Sequence, residues 1–249
     1  MKRIFFLAII IIGVVAGCKK EDVKPSVATA SGNNFSVGKS ANELLAASKY
    51  NSLKIEIAYM PGFAPDPTAL ANLTNFINTF ANKPNGIQII SREIAASGKA
   101  KLTLAEVVEI EKNIRTVFNS GSTMGVFLLY ADADYNESNI IGIAYRNTSM
   151  AIFGKTVVAN SGGINQVPRS KLESTGLLHE MGHLFGLVNL GSPMQVNHED
   201  AAKEKHCTNT NCLMYFATQT NMMGGILISA PIPDLDANCK NDLRANGGK

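Results

Sequence analysis

Leu178-His179-Glu180-Met181-Gly182-His183-Leu184-Phe185-Gly186 is the stretch that decides how the rest of the chain is read. Two histidines four residues apart fall on one face of a helix, because successive turns bring such positions into register. Both imidazoles can therefore bind one metal ion while the backbone stays rigid. Glu180, directly after the first histidine, is placed to handle the proton of a water at that ion. Gly186 can take a left-handed conformation and end the helix sharply.

The H-E-x-x-H pattern is the signature of a zinc peptidase, with two ligands and a general base on one helix. It is short, so its context decides. All four histidines, His179, His183, His198 and His206, lie in one window rather than scattered through the chain, which favours a metal site. The rest of the composition is that of an ordinary globular protein, with 45% hydrophobic and 17% charged residues. A net charge of +3 without a basic run argues against a nucleic-acid partner. Nothing in the 249 residues suggests an internal repeat or a second domain, and a monomer is expected.

Residues 52–60 alternate polar and apolar and stop at Pro61-Gly62, which predicts a strand. Asp66-Pro67 starts a helix carrying Leu70, Leu73, Phe76, Ile77 and Phe80, and 87–90 forms a second strand. Thr103 caps a helix expected to reach Phe118, with Leu104, Val107, Val108, Ile110, Ile114 and Val117 facing inward. The continuous apolar run 124–130 predicts a strand buried on both faces. Strand, helix, strand, helix, strand implies an α/β fold with a mostly parallel sheet. Residues 139–147 and 150–158 read as two further strands joined too closely for a helical crossover, so one is expected to be an antiparallel edge strand. Ser170 then opens the helix of the metal motif, with Leu172, Leu177, Leu178, Met181, Leu184 and Phe185 as its packing surface.

The N-terminus is a targeting segment: Met1-Lys2-Arg3, then an apolar run from Ile4 to Val15 too short to span a membrane. Val15-Ala16-Gly17-Cys18 resembles the lipobox of bacterial lipoproteins. That resemblance implies cleavage before Cys18, acylation of this residue, and a protein held to a membrane of the bacterial cell envelope, periplasmic or surface-exposed. Residues 1–17 are thus a signal peptide, 18–40 a polar tether, and 41–249 the catalytic domain.

A catalytic zinc usually has three protein ligands and an open position. H-E-x-x-H-x-x-G resembles the opening of the metzincin signature, whose third histidine would fall at Asn189. The block His206-Cys207-Thr208-Asn209-Thr210-Asn211-Cys212-Leu213-Met214 resembles the continuation found in archaemetzincins, a metzincin branch. The resemblance implies one metzincin-like domain with a twisted sheet, an active-site helix, a Met-turn and a C-terminal helix. It makes His206 the third zinc ligand, Met214 the floor of the site, and residues 187–205 an inserted loop. His198 competes for the third position, with Asp200 and Asn189 behind it. A segment within 140–153 would pair with an extended peptide substrate, and Tyr215 would pack or help stabilise an oxyanion. A shell closed by all four histidines would instead mark a surface binding module with a structural or vestigial zinc.

An oxidising compartment favours a Cys207–Cys212 disulfide, which leaves Cys239 unpaired. In archaemetzincins two such cysteines join a later C-x-x-C in holding a second, structural zinc. Here the later element is Cys239-Lys240-Asn241-Asp242, with Asp at the position of the last cysteine, which counts against a second zinc at Cys207, Cys212 and Cys239.

Overall fold

The computed structural model describes residues 30–219 and 227–249. Residues 1–17 and Cys18, the signal and lipid-attachment expectations, lie outside the described residues, and so does the beginning of the expected tether.

A five-stranded sheet forms the centre, in the order β2 (Ile87–Glu93), β1 (Ser52–Tyr59), β4 (Thr123–Ala131), β7 (Ser149–Phe153), β6 (Gly142–Arg146). The first four strands are parallel, and β6 runs antiparallel to β7 as the expected edge strand, with an irregularity between Ala144 and Arg146. The strands β3 (Lys101–Leu102) and β5 (Asp134–Tyr135) form a small parallel pair that the sequence pattern does not announce.

One sheet face carries Leu53, Ile55, Ile57, Met124, Val126, Leu128 and Tyr130 against α2 (Pro67–Phe80) and α5 (Arg169–Leu184). The other face, with Phe127, Leu129 and Phe153, packs against Val107, Ile110 and Ile114 of α3 (Leu104–Ile114). The core therefore lies in two layers, one on each side of β1 and β4, as the double burial of these strands requires. Asp66 caps α2 by accepting from the Thr68 amide, with Pro67 in the first turn. Thr103 and Glu106 close a reciprocal capping box on α3.

Several expectations shift. The helix from Thr103 ends at Ile114 rather than Phe118, because the amides of Thr116 and Val117 donate to the Glu56 carboxylate, at 2.8 and 2.7 Å, instead of extending the helix. Leu104 is exposed, and the inner face instead buries Glu111, paired with Arg115. The strand expected over 150–158 stops at Phe153, and Gly154–Ala159 forms a short helix, α4. At Gly154 the chain passes so close to Phe63 and the Ala131 carbonyl that a Cβ would overlap both. Another short helix, α1 (Ala41–Leu45), follows the N-terminal arm, and α6 (Ala237–Ala245) is the expected C-terminal helix.

That arm, residues 33–40, belongs to the expected tether but is docked on the domain. The Asn33 side chain donates to the Gly125 carbonyl and the Thr148 hydroxyl, Asn147 bonds Phe35 in both directions, and Asn147 also donates to Ser40 Oγ.

Candidate metal centre

Helix α5 is buried from Leu172 to its end at Leu184. Its end is a Schellman turn: the Gly186 amide reaches the His183 carbonyl at 3.0 Å and the Leu187 amide reaches the Gly182 carbonyl at 3.1 Å. Gly186 takes φ +78°, and a Cβ there would strike the Ser192 amide and Ala41. The turn redirects the chain into the loop 187–205, where Val188 and Asn189 are also held at positive φ.

That loop returns His206 to the helix. One nitrogen each of His179, His183 and His206 lies within 4.8 Å of the others, and the ring centroids are 4.7, 5.3 and 5.3 Å apart. His179 Nδ1 contacts the Leu213 carbonyl at 2.7 Å and the Thr218 hydroxyl; His206 Nδ1 contacts the Glu204 carbonyl at 2.9 Å. A carbonyl fixes a proton on Nδ1, so in His179 Nε2 is left with its lone pair for a cation. Burial, reinforced by His206, pushes the His179 pKa down to about 3, and burial pushes His183 well below its ordinary value. Both rings are therefore neutral, as metal ligands must be.

His198, the competitor for the third position, is not part of this triangle; its nitrogens face Cys207 and Asp242. Asn189 bonds Glu199, and Asp200 Oδ1 accepts the Ala202 amide. Met214 is buried, and its sulfur lies so close against Gly182 that a Cβ there would overlap it. It thus packs beneath the helix between the two histidine turns, as a soft apolar floor. Tyr215 stacks edge-on with Phe216 at 4.7 Å, a packing role.

Glu180 is fully buried and shares a cleft of about 200 Å³ with His183, His206, Lys205, Ala144, Leu190 and Val37. Burial raises its carboxyl to about 8, against a smaller lowering effect of the Ala144 backbone. Gly142 on β6 permits the approach, since a Cβ there would come within 3.0 Å of Glu180 Cγ. Six buried side-chain polar atoms among the described residues lack a hydrogen-bond partner, and four of them are His179 Nε2, His183 Nδ1 and both Glu180 oxygens. An unpartnered buried carboxylate costs several kcal/mol, so this concentration marks a place where a cation and its water fit. Three imidazoles beside a carboxylate match the donor set of a catalytic zinc.

The Cys207–Cys212 disulfide is not formed: Cys207, Cys212 and Cys239 are all free and buried. Cys212 Sγ lies 3.6 Å from Cys239 Sγ because α6 carries Cys239 back onto the 206–214 block. Sequence reasoning missed Thr218, which backs His179, and the lining residues Val37 and Leu190. These contacts join segments far apart in the chain, and no local pattern signals them.

No protein-family model matches the chain, and no curated protein does. Among solved structures it is similar to an archaemetzincin from Methanopyrus kandleri, with a TM-score of 0.52 and 14% identity over 79% of this chain and 96% of that one. It also resembles metalloproteinase-II from Bacteroides fragilis, with a TM-score of 0.44 and 14% identity over 81% of this chain and 55% of that one. The fold of the chain is thus similar to that of this archaemetzincin, with one α/β domain and an antiparallel edge strand.

Proposed function

We propose that the protein is a zinc-dependent endopeptidase, with His179, His183 and His206 holding the ion and Glu180 acting as general base. The observation that carries this reading is the set of unpartnered atoms: His179 Nε2 and both oxygens of Glu180 are buried with no protein group to satisfy them. A zinc ion held there supplies Lewis-acid polarisation of the scissile carbonyl and acidifies water.

The chain's own residues supply the rest. Glu180 takes the proton of the attacking water and returns it to the leaving amine, a task for which its raised pKa in a buried site is suited. A nearby cation opposes that rise, which keeps the group within range of both donating and accepting. The Leu213 carbonyl and Thr218 hydroxyl hold the His179 ring in orientation, and the carbonyl of Glu204 does the same for His206. Met214 excludes water from beneath the helix. The edge strand β6, whose Ala144 lines the cleft, offers backbone groups for pairing with an extended peptide.

The rival reading, a binding module around a zinc closed by four histidines, loses its motive, because His198 stands apart from the other three. The basic start, apolar run and Cys18 support an acylated form held at a bacterial envelope membrane, acting on peptide or protein substrates there. Replacing Glu180→Gln tests the mechanism. Zinc content is expected to stay at the parental level while cleavage of an unstructured protein such as casein falls by about 10²–10⁴-fold; a variant that cleaves as fast as the parent overturns the assignment.

A further inference from the structure

Lys205 brings a cation into the cleft, and the proposed chemistry gives it no task. It lines the same cleft of about 200 Å³ as Glu180, His183 and His206. The other lining groups, Val37, Ala144 and Leu190, are apolar, so Lys205 is the one lysine or arginine among the described residues there. Its side chain is exposed and open to a ligand. Its charge reaches the metal site: His183 is held neutral first by burial, then by His179, His206 and Lys205.

The loop is built to present this residue. Lys205 sits at φ +67°, a left-handed conformation that a residue with a side chain seldom adopts without restraint. The restraint is Glu199, whose Oε1 accepts the Lys205 amide at 2.8 Å and whose Oε2 accepts Asn189 Nδ2 at 3.0 Å. One carboxylate thus clamps the loop 187–205 near both its ends, and Asn189 too is held at φ +67°. The Asp200 amide donates to the His206 carbonyl at 2.8 Å, and the His206 amide to the Lys203 carbonyl at 3.1 Å. Backbone strain fixed by its surroundings concentrates at functional positions. Lys203, two residues earlier, offers the contrast: its ammonium lies over the Phe216 ring at 5.0 Å. Lys205 enters no ion pair with a described residue, so its charge is left for a ligand in the cleft.

We propose that Lys205 selects substrates by a carboxylate beside the scissile bond, either an acidic side chain or the terminal carboxylate of the peptide. The proposal rests on the peptidase reading and names a substrate class for that site. Val37 and Leu190 form an apolar wall for the stem of the substrate residue, and the ammonium meets its oxygens. Between low-dielectric walls such a pair is stronger than in open water. Lysine is a point charge on a flexible stem, so it accepts either carboxylate without a fixed bidentate geometry.

Two readouts on one peptide set test this. The set is a library acetylated and amidated at its ends, with Asp, Asn or Lys at each central position in turn. The Asn peptides are also made with a free C-terminal carboxylate. Cleavage by the zinc-loaded parent is followed by mass spectrometry, and retention of the same peptides is measured on the immobilised, zinc-loaded Glu180→Gln chain. A carboxylate peptide is expected to be cleaved, and retained, about tenfold better than its neutral counterpart. Lys205→Asn, with a residue that tolerates positive φ, is expected to erase this ratio, and Lys205→Glu to turn it toward the Lys peptides. A preference for Asp assigns the acidic side chain, one confined to the free C-terminus assigns the terminal carboxylate, and both uphold the proposal. A ratio near one in the parent overturns it, as does a preference that survives Lys205→Asn and so belongs to the zinc. Lys205→Asn slowing acidic and neutral peptides equally also overturns it, because the charge then acts on the reaction itself. Retention of carboxylate peptides without any cleavage by the parent sinks the peptidase reading and leaves the Lys205 assignment standing; cleavage without preference does the reverse. Each ratio compares two peptides on one protein, so a variant with a smaller folded fraction still decides.

Discussion

Two buried clusters of ionisable side chains face opposite requirements. Around Glu111, one oxygen accepts from Arg115 at 2.7 Å and Ser149 at 2.6 Å, and the other from Arg146 at 3.1 Å. Arg115 spends its remaining donors on Val117, Gly125 and Thr148. Around Glu180 the carboxylate has no partner, and neither do one nitrogen of His179 and one of His183. Both carboxylates lie on helices and both are inaccessible to solvent. The first cluster spends every acceptor on holding α3, β6 and β7 together. The second withholds its acceptors, and a fold tolerates that only where a ligand repays the desolvation. Buried charge alone therefore does not mark a functional site; the absence of protein partners does.

The largest expected effect is on chemistry. Glu180→Gln should raise the activation barrier by about 3–5 kcal/mol, while thermal unfolding stays at or above the parental midpoint, because a neutral amide is cheaper to bury. A large loss of stability would mean that Glu180 is a structural group like Glu111. The converse substitution, Glu111→Ala, should destabilise by about 3–5 kcal/mol by leaving Arg115 buried and unpaired, with zinc affinity unchanged in the fraction that remains folded. Denaturant titration and metal competition read the two effects separately.

Thr218→Val probes the boundary between the clusters, because this hydroxyl is a structural group that backs a ligand. Zinc affinity is expected to fall by about 10–100-fold, measured against a chelator, with a stability cost of about 1 kcal/mol. Equal affinity would show that the Leu213 carbonyl alone orients His179. The last test concerns Glu56, a partnered carboxylate like Glu111. Burial would raise its pKa, but hydrogen bonds from the Val117 and Thr116 amides, Arg92 and the Thr116 hydroxyl outweigh it, and the group lies below its ordinary 4.5. A lowered carboxylate stabilises the fold above its unfolded value and loses that contribution as pH falls through the folded value. Glu56→Gln should therefore cost about 1–3 kcal/mol near neutrality, with the gap to the parent closing in acid below the ordinary carboxylate range. A gap that stays constant with pH would show that Glu56 acts through shape alone.

Much of the candidate site was legible because its signals are local. His179, Glu180 and His183 share one helix, Gly186 ends it, and His206 announces itself by the cysteines and methionine that follow. The cysteine pairing was misread for a definite reason: the inference rested on redox compartment and loop length, whereas α6 carries Cys239 to Cys212 from 27 residues away. The tether was read too long because Asn33 and Ser40 look like solvated residues, and composition does not distinguish a polar side chain in water from one that bonds a sheet edge. Glu111 was missed since a charged residue in a helix reads as its outer face unless its partners, Arg146 and Ser149 from another element, are known.

By itself the sequence determined the helix that carries two imidazoles and a carboxylate, the alternation of strands and helices, and a mostly parallel sheet, because these depend on periodicity and on neighbours within a few turns. Tertiary structure alone decided which histidine turns to the thiols and which buried acids are satisfied. Those outcomes depend on distances between segments tens of residues apart, set by how the loop 187–205 and α6 fold back on α5, and no local pattern encodes such distances.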